Sequence, residues 1–262
     1  MAVIWIAAGR FAAAYDADAQ AYITAVETAD GQVLETGVRD AINAFVLGCK
    51  ADGIWNAIKA SCIMGGARTL NGALRPLVGT APTNIGFVSG DYNRKTGLVG
   101  NGSSKYLNSN RAHNADDPNN HHLSVSISTA ATGTMSYIGA GTYGALLTTG
   151  IYRNTSINAL DARSRSQSVN GGALNATGFV GITRSQSASV SCRATGSTLS
   201  ISAASTSGAG SEPFAVFARN TSPVGLYSDS RLSFYSIGES LNLALLDARV
   251  TTLMNALAVA IP

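Results

Sequence analysis

Near residue 80 the hydrophobic pattern of this 262-residue chain changes period, and that change constrains its fold more than any other feature. Upstream, apolar residues recur at the three- and four-residue steps of amphipathic helices. Asp16 and Asp18 suit a helix N-terminus, Ala19, Tyr22, Ile23 and Val26 follow helical spacing, and Asp30-Gly31 closes that helix. Leu34, Val38, Ile42, Phe45 and Val46 mark a second helix ending near Gly48. A third is expected from about Ile54 through Trp55, Ile58 and Cys62 to the Gly65-Gly66 pair, a natural C-cap.

After a connector punctuated by Pro76 and Pro82, the period becomes two. Leu123, Val125 and Ile127 alternate with serines, and residues 188–193 and 199–203 do the same. Residues 214–219 and 232–237 carry the aromatics that favour strands, and glycines break these runs at hairpin-like intervals. Many short strands with Gly-rich turns predict a sandwich or barrel. The period returns to helical at 241–260, behind Ser240 as N-cap, where Leu246, Val250, Leu253 and Leu257 form one seam. The expected organisation is therefore an apolar N-terminal docking segment (1–15), a helical segment (16–79), a β-domain (80–238) and a C-terminal amphipathic helix (239–262).

Composition narrows the class. Hydrophobic residues make up 45% of the chain and charged ones only 13%, which excludes disorder by low hydrophobicity and high charge. Ser, Thr, Asn and Gly must cover the surface, a habit of extracellular and virion β-proteins. The β-domain carries 11 Lys+Arg against 6 Asp+Glu, a balance that favours an anionic partner such as an acidic glycan. There is no basic stripe interleaved with aromatics, so nucleic acid is not expected. Cys49, Cys62 and Cys192 cannot complete a disulfide framework and read as small buried hydrophobes of a chain folded in a reducing cytoplasm. The apolar start has no basic n-region, is broken by Gly9 and Arg10, and is too short to span a bilayer, so membrane insertion is not expected.

Several stretches are similar to a known family. Gly53-Ile54-Trp55-Asn56-Ala57-Ile58-Lys59-Ala60 leads into Gly66-Ala67-Arg68-Thr69-Leu70-Asn71-Gly72-Ala73-Leu74, then residues 84–87, then Tyr92-Asn93-Arg94-Lys95-Thr96-Gly97-Leu98-Val99-Gly100-Asn101-Gly102. This resembles a module of structural and tail-fibre-like proteins of tailed bacteriophages and prophages. Residues 214–220 with Arg231-Leu232-Ser233-Phe234-Tyr235-Ser236-Ile237-Gly238-Glu239 resemble the last strands of a concanavalin A-like (laminin-G-like) jelly roll. The resemblance covers roughly residues 16–260. It implies a mainly β, jelly-roll β-sandwich flanked by helices, in a virion protein contacting other virion proteins. A homo-oligomer, with a trimer favoured, and binding of a host-surface glycan by a tail-fibre or baseplate subunit are what this class implies. A capsid decoration protein and a carbohydrate-active enzyme are the alternatives.

A jelly roll is a scaffold, so function has to be sought in a site. Retaining glycosidases place two carboxylates about 5 Å apart, which alternate positions of a Glu-x-Asp-x-x-Glu strand supply. This chain has four glutamates, and only Glu212 and Glu239 fall in or beside the β-domain, each without an acidic neighbour at that spacing. A non-enzymatic protein is therefore expected. His113, His121 and His122 flank Asp116, Asp117, Asn119 and Asn120 in what reads as a polar turn, with a sugar- or metal-holding loop as the functional reading. His121 and His122 point to opposite faces if extended, so neither metal nor cofactor is expected. Gly139-Ala140-Gly141-Thr142-Tyr143-Gly144 does not open a helix and reads as a hairpin turn rather than a dinucleotide loop. Tyr137, Tyr143 and Tyr152, with Arg153, Arg163 and Arg165, could line a glycan surface, since rings stack on sugars and guanidinium forks bind acids. The ligand-binding candidates are thus Asp116, Asp117, Asn119, Asn120, Tyr143, Tyr152 and Arg153.

Overall fold

The computed structural model describes residues 14–142, 147–166, 169–206 and 208–262. Helix α1 (Ala17–Asp30) starts under Asp16, whose carboxylate accepts from the Asp18 amide at 3.0 Å. It ends at Gly31, where a φ of 65° suits a residue without Cβ. Helix α2 (Thr36–Ala51) does not stop at Gly48 as expected. A side chain there would collide with Arg249, which crosses the spot to pair with Asp52 at 2.7 Å, so that glycine serves close packing rather than termination.

The expected third helix is absent. Trp55–Ala57 makes one 3-10 turn, and the chain then enters strand β1 (Ile58–Ile63). Five of its six residues are buried, with Ala60 and Cys62 facing one core and Ile58 and Ile63 another. Burial on both faces erases alternation, and the remaining apolar spacing mimics a helix. A four-residue helix, α3 (Leu70–Ala73), precedes the main β-region.

The strands that follow are β2 (Thr83–Ile85), β3 (Tyr92–Asn93), β4 (Gly97–Val99), β5 (Tyr106–Ala112), β6 (His121–Thr129) and β7 (Met135–Ala140). Next come β8 (Thr149–Asn154), β9 (Ala159–Ser164), β10 (Val169–Ala173), β11 (Gly178–Arg184), β12 (Ser189–Ala194) and β13 (Ser197–Ser202). The last are β14 (Pro213–Val216), β15 (Arg219–Asn220), β16 (Val224–Gly225) and β17 (Arg231–Gly238). Helix α4 (Leu243–Ala260) closes the fold, capped by Asn242 rather than Ser240: the Asn242 amide oxygen accepts from the Ala244 backbone N–H at 2.9 Å.

Among the described residues these strands form two sheets of 8 and 9 strands. The first runs β13-β12-β11-β6-β17-β4-β3, with β1 also on β17; the second runs β10-β9-β8-β7-β14-β5-β2, with β15 and β16 added at β7. All pairings are antiparallel except β15 with β7. Leu123, Val125, Ile127 and Tyr235 from the first sheet meet Ile138, Ile151, Leu160 and Val216 from the second. The chain is the expected mainly β jelly-roll sandwich flanked by helices.

The other face of the first sheet is covered by helices. Phe179 and Phe234 pack with Phe45, Leu246 and Val250, and the Phe45 and Phe234 rings meet edge-on at 5.9 Å between centroids. Small residues on this face, Ser124, Ser126, Gly181 and Ser236, let the helices sit close; a Cβ at Gly181 would touch Leu243. Helix α4 is 18 residues long with a mean hydropathy of 1.4, long enough to cross a bilayer by length alone, yet Leu246, Val250, Leu253 and Leu257 are spent on this internal packing. The order is helices, first sheet, second sheet. No helix packs on the outer face of the second sheet among the described residues.

Candidate functional site

The outer face of the second sheet collects polar side chains by simple register. Asp161 of β9 stands opposite Tyr152 of β8, which stands opposite Ser136 of β7. One step along, Arg163 faces Gly150, Gly150 faces Gly139, and Gly139 faces Arg219 of β15. The facing glycines form a trench: a Cβ on either would collide with the Tyr152 hydroxyl, so the phenol lies over them. The Arg219 guanidinium carbon is 5.9 Å from the centre of the Tyr152 ring, within cation–π range.

Beside this ring is a pocket of about 250 Å³ lined by Thr134, Tyr152, Asn154, Asp161, Arg219 and Leu226. Its one carboxylate is engaged: Asp161 Oδ2 accepts from Asn154 Nδ2 at 3.2 Å and from Arg163 at 3.2 and 3.3 Å. Tyr152 is 2% exposed and its hydroxyl has no hydrogen-bond partner. Burial pushes the phenol's pKa up, the nearby Arg219 and Arg163 charges only partly offsetting it, so it stays protonated and able to donate. A broader groove of about 550 Å³ lies between α4 and β12, but the Arg193–Asp247 pair at 2.7 Å neutralises its charges.

The three histidines are not gathered in one loop. His113 follows β5 and donates to or accepts from Thr149 at 2.8 Å, whereas His121 and His122 begin β6 and point to opposite faces. His121 reaches inward to Ser164 of the second sheet at 2.8 Å, and His122 outward to Ser236 at 2.8 Å and the Glu239 carbonyl at 2.6 Å. Burial holds all three rings neutral, His113 down to about 3 and the other two down to about 4. No group of three or more His, Cys, Asp or Glu side chains among the described residues is arranged to hold a metal.

The other predicted residues have local duties. Asp116 is paired with Arg111, Asp117 accepts from the Asn119 amide at 2.8 Å, and Asn119 accepts from the Ser205 hydroxyl at 2.7 Å. Asn120 accepts from the Ser240 hydroxyl at 2.6 Å and so ties this loop to the start of the C-terminal segment. Arg153 bonds Asn175 and the carbonyls of Thr132 and Gly133, which spends its guanidinium on two turns. Tyr143 lies outside the described residues. Of the candidates only Tyr152 falls in the pocket; Asn154, Asp161 and Arg219 were missed. The available signal was the alternation of β8, which puts Tyr152 and Asn154 on one face.

No known family model matches the chain, and no curated protein does. Solved structures similar to it include a mutant Trypanosoma rangeli sialidase displaying trans-sialidase activity, at 13% identity and a TM-score of 0.47 over 84% of this chain. Another is domain 4 of a GH43 extracellular arabinanase from Geobacillus stearothermophilus in complex with arabinotriose, at 16% identity and a TM-score of 0.38, covering 66% of this chain and 82% of that one. The Trypanosoma rangeli sialidase with 2,3-difluorosialic acid matches at 14% identity and a TM-score of 0.37 over 83% of this chain. The chain spans 39% of the length of the sialidase chains it matches. The expectation of a non-enzymatic protein is corrected here: it rested on one absent motif, and the structures similar to the chain include sialidases and a domain of a GH43 arabinanase. The missing Glu-x-Asp-x-x-Glu strand excludes one catalytic arrangement only, and register brings an aspartate, a tyrosine and two arginines onto one face that spacing had kept apart.

Proposed function

We propose that this chain is a glycan-recognising subunit of a tailed-phage virion appendage of tail-fibre or baseplate type, which binds host-surface glycan through the outer face of its second sheet. The observation that carries the reading is the pocket beside Tyr152, on the face that no helix covers among the described residues. One sheet face packs against the helices; on the other an aromatic ring, an amide and a guanidinium, each less than a tenth exposed, line one pocket. A pocket of about 250 Å³ is near the small end of ligand sites and suits one sugar unit of a longer chain. The resemblance of residues 16–260 to phage structural modules supplies the setting: folding in the bacterial cytoplasm, display on the virion, and other virion proteins and copies of itself, a trimer favoured, as partners.

The test has two arms. Gold-tagged antibody against the chain is expected at the tail tip of purified particles, and the isolated protein is expected to be retarded by host-surface polysaccharide in affinity electrophoresis. Gold spread over the head, with no retardation by any polysaccharide, overturns the reading in favour of a capsid decoration protein.

A further inference from the structure

Four strands, β13, β3, β10 and β2, stand at the ends of the two sheets among the described residues. An end strand leaves every second residue's N–H and C=O without a partner strand, and proteins blunt such edges with shortness, charge, proline or bulges. β3 is two residues long and runs straight into Arg94 and Lys95, and β2 is three residues long behind Pro82. β10 is broken by a register shift between Asn170 and Gly172. β13 has none of these devices. Its six residues, Ser197–Ser202, pair with β12 without a shift. Between Ser185 and Ser211 the one charged residue is Arg193, which is paired with Asp247 at 2.7 Å. The core side of the same strand is incompletely closed. Leu199 stands opposite Cys192 and Ile201 opposite Val190, and both of these belong to the core between the sheets, so Leu199 and Ile201 face inward. The second sheet closes over β12, where Cys192 Sγ donates to the Gly171 carbonyl of β10 at 3.2 Å, but Leu199, one strand further out, is 46% exposed.

We propose that β13 is the contact strand of a two-fold homodimer, in which it pairs antiparallel with β13 of a second copy about Ser200. Thr195 and Gly196, with φ of 50° and 76°, make the two-residue turn between β12 and β13, which closes on Ala194 and Ser197 as a hydrogen-bonded pair. Residues 197, 199 and 201 then spend their N–H and C=O groups on β12, while Thr198, Ser200 and Ser202 turn theirs outward. A dyad normal to the sheet at Ser200 sets that serine opposite its copy, Thr198 opposite Ser202, and Leu199 opposite Ile201, each twice over. The outward groups meet in hydrogen-bonded pairs. The Leu199–Ile201 pairs fall at non-hydrogen-bonded positions, where side chains approach most closely, and each covers a half-exposed leucine. The occupant follows from this match. An uncharged edge that sets aliphatic on aliphatic and hydroxyl on hydroxyl fits its own copy and repels no part of it. The pairing rests on the strand edge and not on the glycan reading, and because a dyad joins chains in pairs it is separate from the trimer favoured there.

Sedimentation of the intact protein from micromolar to near-millimolar concentration tests this. Six paired residues per copy make a small interface, so a dimer that dissociates on dilution is expected. Ser200 is exposed, and Ser200→Asp sets two carboxylates face to face on the axis. It is expected to raise the dissociation constant about tenfold while the monomer keeps its melting point. Cross-linking reads the register. The three native cysteines are buried, so under mild oxidation Ser200→Cys is expected to form a disulfide dimer several-fold faster than Ser202→Cys, whose two copies lie apart in this register. Equal cross-linking at the two positions, or a dimer or trimer untouched by Ser200→Asp, overturns the proposal. A protein that stays monomeric throughout overturns it too, and leaves the edge to a segment of its own chain or to a different protein.

Discussion

The two sheets of this sandwich share one core but differ on their outer faces. The first sheet turns Phe179, Phe234 and a set of serines toward helices that pack on them. The second turns Tyr152, Asp161, Arg163 and Arg219 to its outer face, where no helix lies among the described residues. Both faces obey the same two-residue alternation, so alternation alone does not distinguish a face built for packing from one left for a ligand. What distinguishes them is residue type. On the packed face, aromatics interdigitate between small residues; on the open face, glycines make room for a single ring whose polar end has no partner. Stability should therefore be concentrated on one side of the molecule and recognition on the other.

The largest effect is expected where sheet and helices meet. Phe234 is fully buried against Phe45, so Phe234→Ala removes a ring from a filled interface and is expected to cost about 3–5 kcal/mol. Urea unfolding measures it, as a lower midpoint with an unchanged slope. A cost below about 1 kcal/mol would mean that the helices are a loosely attached layer, and the contrast between the two faces would collapse.

How much of this was readable in the residues depends on whether the two faces of an element differ in residue type. Helices α1, α2 and α4 each bury one stripe, β6 and β12 alternate apolar with small or polar residues, and β17 carries strand-favouring aromatics, so their existence was legible. Strand β1 is covered on both sides and imitated a helix through Trp55, Ile58 and Cys62. The pocket on the second sheet was harder for a different reason. Arg153 follows Tyr152 directly, so on a strand the two part to opposite faces, although they had been grouped. Asp161 and Arg219 reach Tyr152 only through hairpin register and through the parallel β15–β7 pairing, neither of which leaves a trace in spacing. Asp116, Asp117, Asn119 and Asn120 looked like a ligand loop because turn residues and ligand residues are the same types; here they hold the loop itself.

A second, intermediate effect separates the faces by pH. His122 sits on the helix-covered side, fully buried, bonded to Ser236 and the Glu239 carbonyl, with Asp116 and Arg111 its nearest charged influences. Its ring resists protonation until about pH 4, whereas the unfolded chain takes that proton near the ordinary value of 6.5. Between those values the unfolded state binds more protons, so stability is complete above about 6.5 and falls as pH drops toward 4. One such histidine contributes roughly 1.4 kcal/mol per pH unit within the window. His113 and His121 act in the same direction. His122→Gln, followed by thermal melts from pH 7 to pH 4, is expected to flatten the dependence by about one proton's worth, whatever it does to stability at pH 7. An unchanged slope would show that His122 is not held neutral by burial.

The smallest effect on stability is expected at Tyr152, the residue on which the proposed recognition turns. Removing a buried hydroxyl usually costs something because its partner is stranded, but the Tyr152 hydroxyl has no partner to strand. Tyr152→Phe therefore abolishes an unsatisfied donor while keeping the ring over Gly139 and Gly150, and its melting point is expected to stay level or rise, by about 1 kcal/mol at most. A residue selected for packing would not carry an oxygen there, because phenylalanine fills the same trench without the desolvation penalty. If Tyr152→Phe instead unfolds the protein as readily as Phe234→Ala does, the hydroxyl is a structural bond and the open face is a second packed face. If the variant keeps its melting point and loses its retention on host polysaccharide, the hydroxyl is kept for a group that arrives from outside.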